Sequence, residues 1–99
     1  MRMEELLPGC KVDIRIIQLM EKDEIDAAQG IYYTSIFDVT KDGIELQMPM
    51  VGGRLQLLPK NIRYEFIFST STGLYKAQGT VRDHIKKQHF YLLKIELTS

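Results

Sequence analysis

Ninety-nine residues, 44% hydrophobic and 26% charged, make one domain (1–99) with a single modest core and rule out a second catalytic domain or a disordered chain. Thirteen Lys and Arg balance thirteen Asp and Glu, so no overall field steers the chain toward nucleic acid or anionic lipid. The lone Cys10 excludes an internal disulfide or a multi-cysteine zinc site and points to a reducing cytoplasm. The acidic start Met1-Arg2-Met3-Glu4-Glu5, with no apolar run near the roughly 20 residues of a membrane span, points to a chain neither exported nor inserted.

From residue 11 onward apolar and polar residues alternate, the period of strands with one buried face. Val12, Ile14 and Ile16 face inward against Lys11, Asp13 and Arg15, and the slip at Ile16-Ile17 predicts a bulge. Residues 21–29 are polar and charge-rich. They form a long hairpin loop or a helical turn ending at Gly30, and a solvated connection is favoured. In the next run, 31–39, Tyr33, Ser35, Phe37 and Val39 share one face, while Tyr32, Thr34, Ile36 and Asp38 share the other. Lys41-Asp42-Gly43 closes a hairpin, its glycine supplying the positive φ of a tight turn.

Ile44, Leu46 and Met48 resume the inward face until Pro49 stops the ladder; Gly52-Gly53 opens a connection, and Leu55 and Leu57 make a short strand. Tyr64, Phe66 and Phe68 form the most aromatic strand and belong in the centre of the core. Tyr75, Ala77, Gly79 and Val81 share a face, with Gly79 marking a barrel bend or close backbone approach. A basic turn around Ile85-Lys86-Lys87 precedes the last strand, which carries Tyr91, Leu93, Ile95 and Leu97 inward. About seven short strands without a convincing amphipathic helix predict an all-β fold. It is a small antiparallel β-barrel of six or seven strands, favoured over a sandwich because closure removes exposed edges.

Catalytic chemistry finds little foothold. His84 and His89 are poorly spaced as metal ligands and read as solvated turn histidines. Nothing around Cys10 or Ser35 resembles a nucleophile beside its base, the carboxylates form no dyad, and the glycines punctuate strands rather than open helices. The cluster Arg82, His84, Lys86, Lys87 and His89 is a small anion-binding patch or a solvated hairpin tip. Asp38-Val39-Thr40-Lys41-Asp42-Gly43 reads D-x-T-x-x-G, close to the D/N-x-S-x-x-G half of the cyclic-di-GMP signature of PilZ domains. Asp38, Thr40 and Gly43 are thus the candidate ligand residues, against the alternative that they only shape a turn. The other half, R-x-x-x-R, clamps phosphate and stacks on guanine; it is missing, since no two of the arginines at 2, 15, 54, 63 and 82 are four apart.

Over about ninety residues the chain resembles the domain preceding PilZ in YcgR-type flagellar brake proteins, the PilZN domain. The similarity runs in order through Leu7-Pro8-Gly9-Cys10-Lys11-Val12, the stretch from Tyr33 to Val39, Asp42-Gly43-Ile44, Met48-Pro49 and Gly52-Gly53-Arg54-Leu55. It continues through the stretch from Ile62 to Phe66, Gly73-Leu74-Tyr75 and the closing run from Leu92 to Leu97. The resemblance implies a non-enzymatic cytoplasmic barrel acting in cyclic-di-GMP control of motility. Its implied partners are the PilZ domain of the same polypeptide and a flagellar motor or other signalling protein. It also implies that the nucleotide is bound only with the following linker and PilZ domain, so that this chain, stopping where the linker would start, carries no cofactor itself.

Candidate interface residues are the outward Tyr32, Ile36 and Ile67 together with Arg82, Lys86 and Lys87, against the favoured alternative that the first three are half-buried barrel residues. A stand-alone PilZ-like barrel binding cyclic-di-GMP or another small ligand is the alternative. A split-barrel flavin enzyme is more distant, because phosphate-binding arginines and glycines do not converge. Pairing of two copies through a barrel edge stays open.

Overall fold

The aromatic alternation of Tyr64, Phe66 and Phe68 fixes one wall of the core, and the rest of the chain wraps around it. The computed structural model describes residues 5–17 and 30–98; the sequence reading of 21–29 lies outside them. The strands are β1 (Lys11–Ile16), β2 (Ile31–Thr40), β3 (Gly43–Gln47), β4 (Met50–Val51), β5 (Arg54–Leu55), β6 (Tyr64–Thr70), β7 (Gly73–Lys87) and β8 (Phe90–Leu97). Six of them close an antiparallel barrel in the order β1-β2-β3-β8-β7-β6, and β4 and β5 form a separate two-stranded ribbon. The ring closes through β1, which pairs with β2 on one side, Ile14 opposite Tyr32, and with β6 on the other, Ile14 opposite Phe66.

The interior is built from Val12, Ile14, Ile44, Leu46, Tyr64, Phe66, Phe68, Ala77, Val81, Leu93 and Ile95. The rings of Tyr64, Phe66 and Phe68 follow one another at 6.0 and 6.3 Å between centroids. Leu6 and Leu58, both buried in the same cluster, cork the two ends. Leu6 enters at the pole holding the start of β1, the 41–42 and 71–72 turns and the end of β8, where Thr72 Oγ1 donates to Glu5 Oε1 at 2.9 Å. Leu58 lies at the opposite pole, in the connection between β3 and β6, its carbonyl against His84 of β7.

Next to that second cork, the Tyr64 hydroxyl donates to the Pro59 carbonyl at 2.6 Å. Burial, reinforced by nearby Tyr32, pushes the Tyr64 phenol well above the ordinary tyrosine range. A raised folded-state value gives stability that is complete below the unfolded phenol pKa, about 10, and is lost as pH rises toward the folded one. Urea midpoints measured from neutral pH upward are therefore expected to fall above about pH 10. Tyr64→Phe, less stable at neutral pH for want of the hydrogen bond, should show a shallower alkaline fall; an unchanged slope would contradict this assignment.

Several local expectations are corrected. β1 keeps a regular register from Lys11 to Ile16, and Ile17 N–H donates to the Arg63 carbonyl; the bulge expected at Ile16-Ile17 before Leu19 reaches outside the described residues. Among the described residues, register shifts lie between Ile36 and Asp38 in β2 and between Val81 and Asp83 in β7. Before the first of them, β2 turns Tyr32 and Ile36 inward, because they follow the register of the buried β1 residues; after it, Val39 packs on the core. Tyr33 and Phe37 are thus outward, the reverse of the expected facing. Lys86 and Lys87 do not form a turn but end a fifteen-residue β7; the chain turns at 88–89, where Gln88 has φ 56°. Tyr91, expected inside, is exposed because its neighbour on the β3 side is already the connection, whose Met48 N–H donates to the Tyr91 carbonyl.

Candidate functional site

The β2–β3 hairpin brings Asp38, Thr40 and Gly43 to one end of the barrel, as their spacing requires. Their polar groups are used by the turn itself. Asp38 Oδ1 accepts from Val39 N–H at 2.8 Å. Thr40 Oγ1 donates to the Gly43 carbonyl at 3.1 Å and accepts from Asp42 N–H at 3.3 Å. Gly43 sits at φ 147°, and a Cβ there would stand 2.6 Å from the Ile95 carbonyl oxygen, so this position is glycine for backbone reasons. The neighbouring hollow, of about 280 Å³, is lined by Asp42, Arg82, Asp83 and Lys94. Its charges are matched in sign. Arg82 pairs with Glu96 at 3.0 Å and Lys94 lies 4.0 Å from Asp42, leaving no net cationic socket for a phosphate.

Of the six candidate interface residues, Ile36 is excluded: only 2% exposed, it belongs to the core, because the bulge following it lets the outward Phe37 take the surface position. Tyr32 packs partly against the core from inside the barrel rather than facing outward. Ile67 is half-buried on the outer face of β6, and Arg82, Lys86 and Lys87 are exposed.

Lys86 and Lys87 stand on the stretch of β7 and β8 that continues past the end of β3. Two contacts fasten this arm to the barrel wall. The Phe37 and Phe90 rings meet at 5.1 Å between centroids. Lys87 Nζ donates to both carboxylate oxygens of Glu45, at 3.0 and 2.8 Å. Glu45 is an outer-face residue of β3 whose side chain is 4% exposed. The hydrogen bonds that Lys87 donates to this carboxylate, with the charges of Glu45 and Asp38, hold its ammonium above the ordinary lysine range against a smaller desolvation effect. Lys87→Met strands a buried carboxylate and is expected to lower Tm by several degrees, whereas Lys86→Met, whose ammonium lies 5.2 Å from the Tyr91 ring centre, should cost less. Equal Tm values for the two variants would refute the fastening role. His84, expected as a solvated turn residue, is a half-buried strand residue whose Nε2 contacts the Leu58 carbonyl at 2.7 Å. Among the described residues no three His, Cys, Asp or Glu side chains gather as a ligand set for a metal.

One surface escapes the alternation rule. In the β4–β5 ribbon Met50 pairs with Leu55 and Val51 with Arg54, across the Gly52-Gly53 turn at φ 58° and 79°. The ribbon is too short to cover either of its own faces, and Met50, Val51 and Leu57 are all more than half exposed. The available signal lay in composition rather than period: from Leu46 to Tyr64 the chain has no Asp or Glu and contains Arg54, Lys60 and Arg63.

Searches of curated proteins and of solved structures each returned no match. One protein-family model, described as flagellar protein YcgR (PilZNR), matches residues 8–97. That span holds the eight strands of the described residues, from the approach to β1 to the last residue of β8. The barrel and a match over nearly the whole sequence agree: the chain belongs to the PilZNR family of YcgR-type flagellar proteins, a c-di-GMP-related flagellar motility module.

Proposed function

We propose that this barrel is a non-enzymatic docking domain of a cytoplasmic, cyclic-di-GMP-responsive flagellar brake. It seats a PilZ domain of the same polypeptide and offers a second surface to a motor protein. The observation that carries the reading is the family match over 8–97. The hairpin adds to it: Asp38, Thr40 and Gly43 are engaged in turn geometry, so a guanine-binding role is better supplied from outside the barrel. Cyclic-di-GMP held between barrel and PilZ domain then sets the angle between the two, and the motor partner reads that angle.

Titration calorimetry tests this directly. Cyclic-di-GMP added to the 99-residue chain is expected to give no binding heat, and added to the chain joined to a PilZ domain through an R-x-x-x-R linker it should bind. Sub-micromolar binding by the 99-residue chain, abolished by Asp38→Ala without loss of the barrel, would replace the docking reading with a free-standing ligand-binding barrel.

A further inference from the structure

The neutral total charge hides an uneven distribution. The β3-to-β6 connection and the tip of the β7–β8 arm meet at one pole, joined by Met48 N–H to the Tyr91 carbonyl at 2.9 Å and by His84 to the Leu58 carbonyl. Residues 46–64 and 84–91 supply Arg54, Lys60, Arg63, Lys86 and Lys87, five of the thirteen cationic residues, and no Asp or Glu. Among the described residues the nearby anions are occupied. Asp83 lies 3.6 Å from Lys60, and Glu45 is buried under Lys87. Arg54, Arg63 and Lys86 have no carboxylate partner within 4 Å among the described residues. Amid these cations stand Met50, Val51, Leu55 and Leu57, exposed by 59, 57, 37 and 65%. Together they make an apolar surface of a few hundred Å², the size at which such patches mark interaction sites.

We propose that this apolar and basic pole binds a protein partner in trans, through a partner segment whose acidic side chains are interspersed with apolar ones. The proposal rests on the docking reading and names the surface and the partner's chemistry. Charge complementarity selects the partner: carboxylates pair with Arg54, Arg63 and Lys86 while its apolar side chains cover the ribbon. A second copy of this chain would oppose cation to cation. An anionic bilayer would meet the same cations together with the exposed Phe90 and Tyr91, so it is tested directly below. The surface is also organised in advance. Gln56 N–H donates to the Pro49 carbonyl at 2.8 Å, and Tyr64 holds the Pro59 carbonyl, which lowers the ordering cost of binding. Leu97, the last strand residue, lies at the opposite pole, so a domain following it in the same polypeptide leaves this pole open.

The barrel closes on its own core, so the 99-residue chain can be used by itself. Amide shifts in an NMR titration are to be followed with a peptide of about twelve residues alternating Glu with Leu or Val, and with its Lys-for-Glu counterpart. The acidic peptide is expected to shift residues 46–63 and 84–91 alone and to weaken about tenfold between roughly 50 and 300 mM salt. Met50→Ser with Leu57→Ser, and separately Arg54→Glu with Lys86→Glu, should each abolish it while leaving the dispersed barrel spectrum intact. Several results would overturn the proposal: no binding, shifts centred elsewhere, or equal binding of the basic peptide. So would sedimentation with anionic phosphatidylglycerol vesicles, or a dimer, lost in these same variants. Binding that emerges only after Glu21, Asp23, Glu24 and Asp26 are neutralised would assign the pole to the chain's own acidic stretch and likewise overturn it. Cyclic-di-GMP binding by the PilZ-linked protein is measured independently, so failure of this surface and failure of the docking reading are separable.

Discussion

Phe66→Ala is expected to remove about 3–5 kcal/mol of stability, the range for truncating a buried aromatic side chain. Phe66 is fully buried in the middle of β6, between the rings of Tyr64 and Phe68. Its strand neighbours are Ile14 on β1 and Ala77 on β7. Ala77 has no side chain able to swing into the space, and the closed hydrogen-bond ladder prevents the wall from collapsing inward, so most of the lost volume persists as a cavity. A domain of this size holds about 5–15 kcal/mol in total, so the variant should unfold at a far lower urea concentration with an unchanged dependence on denaturant. A loss below about 1.5 kcal/mol would mean that the interior repacks, and that the aromatic row is less central than its burial implies.

Gly79→Ala is expected to be comparably severe through an opposite defect. At Gly79 β7 lies against β8 so closely that an added Cβ would overlap the Glu96 carbonyl oxygen and crowd the Leu97 Cα at 3.1 Å. The obstacle is main chain, so no change of rotamer relieves it; the β7–β8 pairing must spread, and with it the seam between Tyr64 and Leu97 that flanks the glycine. A loss of about 3 kcal/mol or more is expected, at the upper end for overpacking. Gly52→Ala provides the control. It has a positive φ of 58° but open space around it, so only the conformational cost of about 1–2 kcal/mol applies. Comparable urea midpoints for the two variants would show that close approach at Gly79 is not what requires glycine there.

The sequence was most informative where the two faces of a strand differ sharply. Ile44, Leu46, Tyr64, Phe66, Phe68, Leu93 and Ile95 were expected inside and are, and Gly79 was expected at a close backbone approach. The facing of β2 was lost because apolar residues lie on both of its sides: outward Phe37 is used by Phe90, outward Tyr33 stays exposed, and a bulge after Ile36 changes the phase partway along. Periodicity cannot report a phase change whose cause is a partner strand. The length of β7 was hidden for a related reason. Lys86 and Lys87 look like turn residues, yet Lys87 is held in a ladder by Glu45, forty-two positions away. For the candidate site, spacing correctly gathered Asp38, Thr40 and Gly43, but the hydrogen bonds that occupy them become visible only when the hairpin is built. Of the exposed ribbon, alternation marks only the short strand at Leu55, with Leu57 lying just outside it; Met50 and Val51, buried on neither face, leave no periodic trace.

The two corks, Leu6 and Leu58, bear on how the barrel would carry a displacement. They fill both ends of an interior packed with aromatic rings, which leaves the strands little room to slide past one another. Under the docking proposal, a displacement imposed where β8 ends would reach the Met50 to Leu57 ribbon as motion of one solid body, and the ribbon would follow the tilt of a domain attached at the far pole through stiffness rather than internal rearrangement.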